Sequence, residues 1–157
     1  MKELILLRHA HALAAAAGAG DTERCLSPIG EAEADAAGAW LARHGGLPSR
    51  VLCSPAQRTR QTLERVLGQL GYADTRVEPR IYEATSGTLF GLLDEHAEAE
   101  RLLLVGHNPG LETLVALLAT GQSGDFRGMP PAGVAWFELA GGALEPGAGT
   151  LKAFWSP

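Results

Sequence analysis

Aromatic side chains make up only 6% of this 157-residue chain, and charged ones only 20%. A core so poor in rings has to be aliphatic, and abundant alanine with 20 glycines suits helices packed closely against a sheet. Positive charge is in deficit. Thirteen Lys and Arg face eighteen Asp and Glu, and the net charge of -5 excludes a broad basic face for nucleic acid or for an acidic membrane leaflet. Any anion must therefore be held by a local pocket. The only two cysteines, Cys25 and Cys53, are 28 positions apart, which matches no metal-ligand or redox spacing. Cys53 closes an apolar run and reads as a buried free thiol, in keeping with a reducing cytoplasm. Long hydrophobic runs are missing too. Lys2 and Leu4-Ile5-Leu6-Leu7 imitate the start of an export signal, but Arg8-His9 interrupts them after four apolar residues. No stretch approaches a membrane span. A cytoplasmic protein with neither nucleic-acid nor membrane partners is expected.

What the chain does have is three short aliphatic runs, Leu4 to Leu7, Val51 to Cys53 and Leu102 to Val105. Continuous rather than alternating runs predict strands covered on both faces, as in a parallel α/β sheet. Helical segments lie between them. Ser27 as N-cap and Pro28 as first residue open a helix whose apolar face reads Ile29, Ala32, Ala36, Trp40 and Leu41, and His44-Gly45-Gly46 ends it. A second helix is predicted from Ser54-Pro55 to about Leu70, with Leu63, Val66, Leu67 and Leu70 on one face. A third covers roughly Thr88 to His96, and a fourth runs from Asn108-Pro109 to just before Gly121. Late strands are expected at Gly133 to Leu139 and Thr150 to Trp155, with Val77 on one more. Ala14 to Gly20, reading AAAAGAG, predicts a mobile surface loop. With no repeat or linker, residues 1–157 read as one domain.

Each aliphatic run delivers a polar motif at its carboxyl end. The first ends in Arg8-His9, the second in Ser54-Pro55 with Arg58 one turn on, the third in Gly106-His107-Asn108-Pro109. Ligands of open α/β sheets bind at that edge, so parallel neighbouring strands would bring two arginines and two histidines into one crevice. Arginine's planar fork suits phosphate oxygens, and helix N-termini at the same edge favour an anion. His9 is the candidate nucleophile: a neutral imidazole can attack phosphorus, and cations nearby keep it neutral. Singly, each motif is an ordinary turn or surface pair. Together they point to a phosphate site.

LLRHAHA resembles the Arg-His signature of the histidine phosphatase superfamily, the phosphoglycerate mutase-like fold, with Ala10 where many members have Gly. LSPIGEAEA, CSPAQRTRQT and GHNPG are similar to its helix start, its Ser-Pro-x-x-Arg segment and its second-histidine motif. The likeness spans nearly the whole chain and is strongest to the short SixA-type phosphohistidine phosphatases. It implies a three-layer α/β/α sandwich with a mostly parallel sheet, phosphorylation at His9, and a phosphate pocket of Arg8, Arg58 and His107. It implies no cofactor. Glu83, in PRIYEATSG, stands where the family's general acid usually lies, although many SixA-type members lack a clear equivalent. The short interval from Glu83 to Gly106 leaves little room for a capping insertion, which suits phosphohistidine on a protein partner. Small phosphate esters are the alternative.

Two rivals stay open on the residues alone. A metal-dependent hydrolase could use His9 and His11 with His107 and Glu83, although Arg8 and Arg58 would crowd the cation. A silent phosphopeptide-binding module would need no nucleophile. His11 otherwise reads as an exposed residue at the pocket rim, His44 and His96 as histidines at helix C-termini, and Trp40 and Trp136 as core.

Overall fold

Leu4–Leu7 and Leu102–Val105 have no exposed surface at all, and a run of four consecutive side chains is hidden only between two layers. They sit so in the computed structural model, which describes residues 1–124 and 128–157. Four strands run parallel: β1 (Glu3–Arg8), β2 (Arg50–Cys53), β3 (Asp74–Val77) and β4 (Arg101–Gly106). Two more, β5 (Val134–Leu139) and β6 (Gly149–Trp155), join antiparallel, giving a six-stranded sheet of order β3-β2-β4-β1-β5-β6. The mostly parallel α/β sandwich expected from the sequence is the fold found.

Alternate strand residues feed opposite layers. Leu4, Leu6, Leu52, Leu102 and Leu104 pack against α3 (Ser86–Glu95) and α4 (Gly110–Thr120). Ile5, Leu7, Val51, Cys53, Leu103 and Val105 pack against α1 (Pro28–Arg43) and α2 (Gln57–Leu70). Each fully buried Leu or Val contributes about 1.5–3 kcal/mol. No helix among the described residues is long and apolar enough to cross a membrane.

The start of α1 is as expected, with the Ser27 hydroxyl accepting from the Gly30 N–H at 3.0 Å and Pro28 in the first turn. Its buried face is not. Gly30, Ala34, Ala37, Gly38 and Leu41 point inward, while Ile29 is 68% exposed and Ala32 lies in solvent. Close approach decides this orientation. A Cβ at Gly30 would lie 1.9 Å from the His11 carbonyl oxygen, and one at Gly38 would lie 3.0 Å from the Val66 Cα. The alanine-rich sequence cannot signal which of its small residues face in. Trp136 is core, whereas Trp40 is half-buried and stacks on Trp155 at 5.4 Å.

The other helices differ from expectation only at their ends. α2 begins at Gln57, because Ser54-Pro55 makes the turn before it, and α4 begins at Gly110, two residues after Asn108. α3 starts earlier than predicted, with the Thr85 hydroxyl accepting from the Thr88 N–H. His44 and His96 are the C-cap residues of α1 and α3.

Candidate active site

The parallel register brings three strand ends level. Arg8 lies opposite Gly106, and Cys53 opposite Val105, so the residues that follow β1, β2 and β4 emerge on one edge. His9 continues the ladder by donating its backbone N–H to Gly106, and Ser54 does so by donating to Val105. Arg58, in the first turn of α2, is 6% exposed and reaches between the two histidines. Four of the predicted residues, Arg8, His9, Arg58 and His107, therefore lie together.

The polar contacts fix both imidazoles. His9 Nδ1 is 2.7 Å from the Ala10 carbonyl oxygen, which can only accept, so Nδ1 carries the proton. Nε2 keeps its lone pair and accepts from Arg58 Nε at 3.3 Å. His107 Nδ1 likewise accepts from Arg58 Nη2 at 3.3 Å, leaving Nε2 to donate to the Ser54 hydroxyl at 2.7 Å. The two ring centroids are 5.3 Å apart. Burial, and then the Arg58 and Arg8 charges, push the His9 imidazole down to about 4. Burial and Arg58 push His107 to about 3. Both are neutral bases at neutral pH.

Arg8 donates through Nη1 to the Met129 carbonyl at 2.9 Å, while its buried Nε has no hydrogen-bond partner among the described residues. That orphaned donor costs free energy unless an acceptor fills the site. The side-chain amide of Asn108 donates to the same carbonyl at 2.9 Å, which ties the end of β1 to the turn before α4.

Glu83 does not touch this cluster. It is exposed, makes no hydrogen bond or ion pair among the described residues, and lines a cleft of about 570 Å³ together with Arg58, Tyr82, Thr85 and His107. Its backbone is left-handed, with φ of 56°, uncommon for glutamate and costing about 1 kcal/mol or more. The wall that carries it lies flat on the start of α4. A Cβ at Gly110 would be 2.7 Å from the Ala84 carbonyl oxygen, which accounts for the last glycine of GHNPG.

His11 is exposed, as expected, but it serves α1 rather than the pocket: its Nδ1 is 2.6 Å from the Ser27 hydroxyl. Among the described residues no three His, Cys, Asp or Glu side chains gather in a way that could hold a metal ion, so the rival donor set of His9, His11, His107 and Glu83 is not assembled. Cys53 is a buried free thiol, pushed up to about 12 by burial, so it stays protonated and supplies no thiolate nucleophile.

Two residues that sequence reading missed complete the site. Asp21 accepts from Arg58 twice, through its carbonyl from Nη1 at 2.8 Å and through its carboxylate from Nη2 at 3.1 Å. The same carboxylate oxygen accepts from the Tyr82 hydroxyl at 2.6 Å. The one available signal was the crevice expected to hold two arginines, since a guanidinium drawn out of water requires a counter-charge.

The chain is similar to known proteins in sequence and in fold. The family profile described as histidine phosphatase superfamily (branch 1) matches residues 4–102. An uncharacterised protein of Mycobacterium tuberculosis is 34% identical over 150 residues, covering 89% of this chain and 93% of the relative. A crystal structure described as a candidate phosphohistidine phosphatase SixA of Agrobacterium tumefaciens is 31% identical, with a TM-score of 0.86 over 99% of this chain and 98% of the other. A protein histidine phosphatase SixA complexed with tungstate is 28% identical, with a TM-score of 0.83 over 98% and 96%.

Proposed function

The chain belongs to branch 1 of the histidine phosphatase superfamily, and from that premise we propose that it is a metal-independent phosphatase that carries the phosphoryl group on His9. The observation that carries the reading is the fixed lone pair of His9 Nε2, neutral, half-buried and faced by a guanidinium. Nε2 attacks phosphorus as the Arg58 Nε–H shifts from its lone pair to a phosphoryl oxygen, forming a P–N bond while the bond to the leaving group breaks. The leaving group departs with the electron pair and takes a proton from solvent water, which the attacking water of the second step returns. Water then attacks the phosphohistidine, the P–N bond breaks, and inorganic phosphate and neutral imidazole remain. Arg8 and Arg58 spread over the equatorial oxygens as charge shifts onto them, the role a metal ion plays in other phosphatases. An arriving dianion favours the imidazolium form of His107, reversing the effect of Arg58 and making that residue a further donor.

Phosphohistidine on a protein partner is the substrate class the reading favours. Similarity to proteins described as SixA supports it, while tungstate in one of them, an oxyanion of phosphate's tetrahedral shape, supports a phosphoryl site under either substrate reading. Its two free thiols suit the cytoplasm, where we place it. A second reading, a phosphomonoesterase for small esters, is favoured by the Glu83 carboxylate on the cleft.

His9→Ala should abolish turnover, and Arg8→Ala or Arg58→Ala should lower it by about 10²–10³-fold, as loss of transition-state donors does. A labelled phosphoenzyme should be acid-labile and disappear in His9→Ala. Full activity of that variant, or complete loss of wild-type activity in chelator, would refute the mechanism. A side-by-side assay of phosphohistidine protein, phosphotyrosine peptide and sugar phosphates decides the substrate class.

A further inference from the structure

Arg58 is the centre of the site, yet nothing in the strands or in α2 holds its outer edge. That edge is held from the segment 12–26, which leaves β1, passes through exposed alanines and returns to α1. The segment is closed at its base by the bridge between Ala12 and Leu26, with the Leu13 N–H donating to Cys25 at 2.8 Å. At its far end, Asp21 starts a single helical turn through Glu23. Each face of Asp21 is engaged. One carboxylate oxygen accepts from Arg24 at 3.2 Å. The other accepts from Arg58 Nη2 at 3.1 Å and from the Tyr82 hydroxyl at 2.6 Å, while the backbone carbonyl takes Arg58 Nη1 at 2.8 Å.

A guanidinium is planar, so fixing Nη1 and Nη2 from outside fixes the direction of Nε. Here Nε points at His9 Nε2. We propose that Asp21 is a positioning residue for phosphoryl transfer, holding the Arg58 guanidinium beside the His9 nucleophile, where its Nε–H passes from Nε2 to a phosphoryl oxygen as Nε2 attacks, and that its charge limits how tightly the pocket keeps the product phosphate. The inference rests on the phosphatase reading above. Tyr82 gives the arrangement its second anchor. Its ring meets His107 edge-on at 5.5 Å, so the Asp21 contact joins the segment 12–26 to the wall that carries Glu83.

The second half of the proposal follows from charge. Asp21 is the carboxylate that pairs with Arg58, and removing it makes the surroundings of the phosphate more positive by one whatever the state of the other groups. A dianion then binds more tightly, while an Arg58 free to turn is a poorer partner for the transition state. Asp21 stays ionised across the working range, since Tyr82 first, and then Arg24 and Arg58, hold it down at about 2.

The test uses wild type, Asp21→Ala and Asp21→Asn with p-nitrophenyl phosphate, and measures kcat, KM, the competitive inhibition constant of inorganic phosphate, and melting temperature. Asp21→Ala should lose about 10–100-fold in kcat while phosphate inhibition tightens several-fold. Asp21→Asn should recover part of kcat, because an amide oxygen still accepts from Arg58, yet keep the tighter inhibition. A residue needed only for folding would weaken phosphate binding together with kcat. That result, or kcat within about twofold of wild type in both variants, overturns the proposal. If Asp21→Ala does not fold, Asp21→Asn decides alone. Phosphoenzyme trapping on wild type runs in parallel: a wild type with neither turnover nor phosphoenzyme sinks the phosphatase reading and this inference with it, whereas an active wild type matched by its Asp21 variants sinks this inference only.

Discussion

Glu83 shows how one residue can be placed by its backbone rather than by its contacts. It is exposed, unpaired among the described residues and left-handed, and it lines the same cleft as Arg58 and His107. Strain of this kind persists where the surroundings impose it. If Glu83 is the general acid, it matters most for leaving groups that cannot depart unprotonated. An alkoxide is strongly basic, whereas the imidazole of phosphohistidine can be protonated before cleavage. Glu83→Gln should therefore slow alkyl phosphate esters by about tenfold or more and phosphohistidine much less, measured at fixed pH. Equal ester rates in wild type and variant would remove Glu83 from the chemistry and strengthen the phosphohistidine reading. The contrast with Asp21 explains what could be read in advance. Arg8, His9, Arg58 and His107 were legible because each ends or follows a buried strand or opens the helix after one. Asp21 follows low-complexity sequence, where no periodicity marks a direction, and its importance depends on a partner 37 positions away.

At the scale of elements, the site depends on two chain segments lying flat on helix starts. The residues after His9 cross α1 at Gly30, and the residues after Tyr82 cross α4 at Gly110. A methyl group at either position meets backbone, which cannot rotate away. Gly30→Ala should cost about 1–3 kcal/mol and also lower turnover, because the displaced His11 carbonyl is two residues from the nucleophile. Gly68→Ala is the control: nothing lies within 4 Å of its Cβ in α2, and it should stabilise by up to about 1 kcal/mol with activity unchanged. Thermal melts and turnover of the two variants test the pair, and equal melting temperatures would contradict the packing argument. Gly30, with Gly38 two turns on, explains why the face of α1 was misread. Apolar periodicity finds where large side chains recur, but this helix packs through its smallest residues. Strand positions, carrying leucine, isoleucine and valine without interruption, left no such ambiguity.

For the molecule as a whole, the buried imidazoles set a pH limit on stability. His9 stays neutral in the folded chain down to about pH 4 and His107 to about pH 3, whereas an unfolded histidine takes up a proton near pH 6.5. Between those values the unfolded state binds more protons, so stability is complete above about pH 6.5 and falls as the solution is acidified toward pH 4 and below. Asp21 acts later, since its contribution is present above about pH 4 and is lost as pH falls through about 2. Melting temperatures between pH 7.5 and 4.5 should drop for wild type and drop less for the double variant His9→Gln/His107→Gln. Parallel curves would mean that the imidazoles do not carry the acid sensitivity. The cationic site itself has a consequence for how substrate arrives. Arg8 and Arg58 are a small positive spot on a chain of net charge -5. Beyond a Debye length of about 10 Å at 0.1 M salt, an approaching phosphate senses neither arginine, and closer to bare water it senses mainly the excess of carboxylates. Capture is therefore a short-range event: salt weakens the outer repulsion as well as the inner attraction, and the rate of encounter owes more to diffusion into the open cleft than to steering by the molecule's field.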